Sequence, residues 1–137
     1  KVNCELADYY NVVAVIGIGV NEEDCHRLVH GLREIAREEA RPGRRLPAIS
    51  GPPPLPRKRM TPREAWFSPA RAVPLPSSAG FVCAEWAAAY PPGVPVIYPG
   101  EEITPEIIEY LQALKRNNVP VAGPADQSLA NILVIDE

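Results

Sequence analysis

Apolar positions along this chain fall into patterned blocks divided by stretches that no regular element tolerates. The first block, Val12-Val13-Ala14-Val15-Ile16-Gly17-Ile18, is a continuous β-branched run with the length of a strand buried on both faces. A helix is predicted next, over Glu22–Arg41. Asn21 is a good N-cap, Glu22, Glu23 and Asp24 suit the positive end of the helix dipole, and Cys25, Leu28, Val29, Leu32, Ile35 and Ala36 recur at helical period. Pro42-Gly43 ends it.

Between Pro42 and Pro76 lie 10 of the chain's 17 prolines, a density at which no regular element is expected apart from one short helix. That helix is signalled by Thr61-Pro62-Arg63-Glu64, which places a capping Thr, a Pro at the first helical position and a Glu three residues after the cap. Phe81-Val82-Cys83 and Trp86 favour a strand within Gly80 to Ala89, and Val96-Ile97 a shorter one. Thr104, Pro105 and Glu106 open another helix, with Ile107, Ile108, Leu111 and Leu114 as its buried face and Asn117-Asn118 as its end. Val119–Ala122 and Ile132–Ile135 read as closing strands around a turn at Gly123 to Asp126. The fold class expected is α+β, with short strands packed on one side by helices. The layout expected is a strand-helix unit over residues 1–41, a Pro-rich basic linker over 42–60 and a main domain over 61–137. The first strand and helix are expected to join the layer of the main domain.

Composition narrows the classes of function. At 137 residues with 46% hydrophobic side chains the chain can bury one modest core. The net charge of −3 conceals a basic island: residues 41–64 carry 7 basic and 1 acidic side chains, whereas both flanks are acidic. The island lacks interleaved aromatics and lies on the expected linker, which argues against nucleic acid. Cys4, Cys25 and Cys83 have no metal-ligand spacing and are odd in number, the pattern of a reduced, cytoplasmic protein. No apolar run is long enough to span a bilayer. The chain opens on Lys1, and the Val12 run has no preceding unit to pack against, so it reads as a piece of something longer.

The most specific segment is Tyr90-Pro91-Pro92-Gly93-Val94-Pro95-Val96-Ile97-Tyr98-Pro99-Gly100-Glu101, a stiff loop, a short strand and a second tight turn. It resembles the signature of the C-terminal domain of the bacterial ornithine/lysine/arginine decarboxylases. Further segments are similar to that family in the same order: Met60 to Pro69, Ala84-Glu85, Ile103-Thr104 and the helix from Glu106 to Leu111. Glu5-Leu6-Ala7-Asp8, with Glu22-Glu23-Asp24, resembles the end of the preceding portion. Met60 to Pro69 and the compact length are closer to the shorter, arginine-type members.

The resemblance implies an enzyme of the aspartate-aminotransferase fold that uses pyridoxal 5′-phosphate (PLP), acts on a basic amino acid, and serves polyamine or acid-stress metabolism. It also implies an upstream PLP-binding domain in the same chain and assembly into dimers or higher multiples. None of Lys1, Lys58 and Lys115 lies in the Ser-x-His-Lys context of the family's imine lysine, so this stretch alone is expected to be inactive and to bind no cofactor. Glu5 matches a glutamate that recognises the substrate's distal cation, and Asp8 shares its context. A solvated acid at a strand end is the plainer reading of Glu5, and a turn or cap that of Asp8. One departure is Phe81, which stands where the family commonly has a basic residue and puts in doubt a role for Glu85 as its partner.

Other candidates have plain structural readings. Glu101 and Glu102 suit an exposed turn as well as an acidic lip, and Trp86 and Tyr90 suit core or interface packing. His26 and His30 are four apart on one helix, but no third metal ligand is near in sequence. A different class of function is a non-catalytic binding, assembly or regulatory module that partners a complete decarboxylase.

Overall fold

The computed structural model describes residues 2–7, 11–40, 51–90 and 93–136. The chain forms two compact units, Lys1–Pro47 and Ala48–Glu137. In the first, β1 (Leu6–Ala7) pairs antiparallel with β2 (Val12–Val13), and α1 (Glu22–Glu38) follows. Asn21 caps α1 as its sequence requires: its side chain accepts the Asp24 N–H at 3.0 Å, and Asp24 accepts the Asn21 N–H in return.

Two expectations for this unit are corrected. The Val12 run is a strand for two residues only, and Val15 and Ile16 are 67% and 71% exposed. A strand buried on both faces needs neighbours on both, and the described residues of this unit supply only the two-residue β1. The helix closes at Glu38, with Glu39 as C-cap, before it reaches Arg41, and it has no buried residue.

The second unit holds the core. Residues 57–60, at the end of the expected linker, are tied to the turn after the proline loop: Arg59 and Met60 N–H both donate to the Gly100 carbonyl, and Glu102 N–H to that of Arg57. Helix α2 (Pro62–Phe67) follows, with the predicted capping box in place. The Thr61 hydroxyl and N–H both donate to the Glu64 carboxylate, at 2.6 and 2.7 Å, and hold its pKa below the ordinary value.

Strand β3 (Ala70–Pro74) was not expected in so proline-rich a stretch, yet it pairs antiparallel with β7 (Asn131–Ile135) over five residue pairs. The prolines stand at the margins of a two-stranded ribbon, where no second neighbour needs their missing N–H. The other sheet has order β5–β4–β6, from β4 (Ala87–Ala89), β5 (Pro95–Ile97) and β6 (Val121–Ala122), all antiparallel. The strand expected over Gly80 to Ala89 is broken: Val82 and Cys83 make single bridges to Glu102 and Val134, and only Ala87–Ala89 runs as a strand.

Helix α3 (Pro105–Arg116) starts on the Thr104 cap and buries Ile107, Ile108, Leu111 and Leu114, the face its periodicity predicts. Burial of each such side chain stabilises the fold by about 2 kcal/mol. They pack with Cys83, Ile97, Ile103, Ile132 and Val134 in one cluster, while Ala65, Val82 and Ile135 form a smaller one. Three α-helices with antiparallel strands make the described residues an α+β fold.

Candidate functional site

The proline-rich signature delivers a tight turn whose acids are spent internally. Gly100 adopts φ +91°, which a side chain disfavours, and a Cβ there would stand 2.5 Å from the Met60 carbonyl oxygen. This close approach lets the Gly100 N–H reach the Cys83 carbonyl at 2.8 Å while its own carbonyl receives Arg59 and Met60. Glu101 turns back to accept the Tyr98 N–H at 2.8 Å, and Glu102 accepts from the Arg59 guanidinium at 2.9 Å. Both carboxylates therefore fasten the turn, and no open acidic lip forms.

Two residues on from Cys83, Glu85 is a buried charged side chain among the described residues. One carboxylate oxygen accepts the Leu133 N–H at 2.8 Å and the other the Ala125 N–H at 2.7 Å, so a single side chain binds β7 to the loop before it. The doubt that Phe81 raised about Glu85 is thus resolved by main-chain partners. Phe81 itself receives the Arg71 guanidinium over its ring, 5.1 Å from the centroid, and Arg71 pairs with Asp136 at 2.9 Å.

Cys83, fully buried, donates its thiol to the Glu85 carbonyl. Burial first, and then the nearby carboxylates of Glu85 and Glu101, push its pKa up to about 12. Such a thiol is a core group and not a nucleophile. Asp126 closes the loop before β7 by accepting from Ser128 and Asn131 through both side chains and main chains, and these bonds lower its pKa to about 2.

Glu5 is exposed at a bend just ahead of β1, where its N–H donates to the Val13 carbonyl at 2.9 Å. Asp8 lies outside the described residues. Glu5 belongs to the first unit and the Glu101 turn to the second. Trp86 and Tyr90 are both exposed. His26 and His30 each face a glutamate of α1, Glu22 at 3.5 Å and Glu34 at 3.4 Å. Among the described residues no group of three or more His, Cys, Asp or Glu side chains is placed to hold a metal ion, and no helix is long and apolar enough to cross a membrane.

The fold recurs in solved structures. The lysine decarboxylase of Francisella novicida matches with a TM-score of 0.74 at 21% identity, over 99% of this chain and 26% of that one. The constitutive lysine decarboxylase of E. coli matches with a TM-score of 0.72 at 21% identity, over 98% of this chain and 26% of that one. The fold is that of the C-terminal domain of these enzymes.

At the level of sequence, the model of the Orn/Lys/Arg decarboxylase C-terminal domain matches residues 50–124, and the chain belongs to that family. An arginine decarboxylase of Bacillus subtilis is 35% identical over 140 residues, and one of Halalkalibacterium halodurans is 34% identical over 139. Each alignment covers 100% of this chain and 28% of the relative, so the chain spans little more than a quarter of the length of these proteins. The constitutive lysine decarboxylase of Escherichia coli is 33% identical over 94 residues, covering 64% of this chain and 13% of the relative.

Proposed function

We propose that this chain is the C-terminal part of a PLP-dependent decarboxylase of basic amino acids, with arginine as the first substrate. The observation that carries the reading is the alignment of arginine decarboxylases along the whole chain, first unit and second alike. The described residues do not fit the cofactor itself. Lys58 and Lys115 are exposed, and the buried polar side chains Ser78 and Glu85 are committed to main-chain partners. In this reading the imine lysine and the cofactor cradle belong to an upstream domain of the same protein, and this part alone is inactive.

In this reading the chain contributes an active-site wall and subunit contacts in a dimer or larger assembly. Glu5, with Asp8 near it in sequence, recognises the distal cation of the substrate. An exposed carboxylate just before a strand is free to turn toward an incoming guanidinium, and a charge-assisted bond there rewards both charge and direction.

Joining the chain to its lysine-bearing domain and measuring carbon dioxide release from arginine, lysine and ornithine tests the activity. Turnover of arginine above the other two is expected, and no turnover of any would overturn the proposal. In the same enzyme Glu5→Gln raises KM much more than it lowers kcat, because the distal cation lies several bonds from the carbon where charge develops. A loss of roughly thirtyfold in kcat/KM is the expected scale for removing a charged partner worth about 2 kcal/mol.

A further inference from the structure

The second unit carries a cavity of about 470 Å³ that the decarboxylase reading leaves unused. Two arginines line it, Arg59 from the segment that docks on the Gly100 turn and Arg71 from β3. The wall between them is small or apolar: Ala79, Gly80, Phe81 and Val82. No acidic side chain lines it, although the chain as a whole is acidic with a net charge of −3.

Each guanidinium has a carboxylate partner that does not line the cavity. Glu102 takes one donor of Arg59 at 2.9 Å, and Asp136 takes the Nε of Arg71 at 2.9 Å while the Arg71 guanidinium carbon stands over the Phe81 ring, 5.1 Å from its centroid. An arginine has five N–H donors, so each carboxylate leaves most of them open. Each pair engages one edge of a half-exposed fork and leaves the rest of its donors to meet a further anion. Gly80, at φ +85°, has open space where a side chain would stand, and this keeps the cavity clear.

We propose that this cavity binds a small oxyanion-bearing molecule, a phosphate or a carboxylate, held between the Arg59 and Arg71 guanidiniums with its apolar part against Phe81 and Val82. Bidentate oxyanion recognition is the chemistry that two planar guanidinium forks perform best.

Calorimetric titration of the 137-residue chain with sodium pyrophosphate, and separately with sodium succinate, at constant ionic strength distinguishes phosphate from carboxylate ligands. Saturable binding of at least one is expected. Arg71→Gln is expected to weaken it tenfold or more, the scale of one charge-assisted contact of about 1.4 kcal/mol. Ala79→Leu, which fills the cavity and leaves both arginines intact, should weaken it comparably and covers the case in which Arg71→Gln fails to fold. Absence of saturable binding by both probes, or binding unchanged in Ala79→Leu, would overturn the proposal.

Discussion

The carboxylate of Glu85 accepts the main-chain N–H of Leu133 at 2.8 Å, across 48 residues of sequence, and does so from a buried position. Its other oxygen takes the N–H of Ala125. Alongside the main-chain bonds from Ala84 N–H to the Leu133 carbonyl and from Ile135 N–H to the Val82 carbonyl, this side chain fastens the Gly80 to Ala89 segment to β7 and to the loop before it.

Glu85→Ala leaves the N–H of half-buried Leu133 and that of exposed Ala125 without their acceptor, and only the first is kept from water, at about 1–3 kcal/mol. Urea unfolding is expected to show a loss of about 1–3 kcal/mol, with Glu85→Gln intermediate because its amide keeps one acceptor oxygen. A loss below about 1 kcal/mol for the alanine variant would mean that water replaces the carboxylate.

Gly100 and Gly80 both have positive φ, but only Gly100 has a carbonyl oxygen, that of Met60, where its Cβ would go. Gly100→Ala therefore combines conformational strain with a clash at the turn that docks residues 57–60. Gly80→Ala has strain alone, of about 1 kcal/mol. Thermal unfolding of the two variants should place Gly100→Ala clearly below Gly80→Ala, and equal melting temperatures would contradict the close approach.

Cys83 is buried while Cys4 is exposed and Cys25 half-buried. A thiol reagent should modify Cys4 and Cys25 in the folded chain and reach Cys83 only on unfolding, as mass spectrometry of labelled peptides would reveal. The raised pKa also has a sign for stability. The unfolded thiol ionises near its ordinary value of 9.0 and the folded one near about 12, so the contribution is complete below 9.0 and is lost as pH rises toward 12. Cys83→Ala should flatten that alkaline limb.

Asp126 has the opposite sign. Its folded value of about 2 lies below the ordinary 3.8, so the stability it gives is present above 3.8 and is lost as pH falls toward 2. Asp126→Asn should be less stable at neutral pH and should lose less between about pH 4 and 2 than the parent chain does. Parallel acid limbs for the two proteins would show that the Ser128 and Asn131 bonds do not favour the charged form.

What the sequence determined by itself was local chemistry. The caps at Asn21, Thr61 and Thr104, the Pro at the first position of two helices, and the buried stripe of α3 rest on residues within a turn of one another, where spacing alone sets the geometry. The proline signature likewise pointed to the decarboxylase C-terminal family because its breakers constrain the backbone wherever they stand.

Tertiary structure decided what depends on distant partners. Pro74 sits in a strand because Asn131 lies opposite, and Glu85 is a clamp because Ala125 and Leu133 approach it from more than 35 positions away. Glu101 and Glu102, alike in sequence, divide between capping their own turn and pairing with Arg59, 43 residues earlier. A β-branched run such as Val12 to Ile18 reads as buried, yet burial is a property of the neighbours it finds, and in the first unit the described residues provide two.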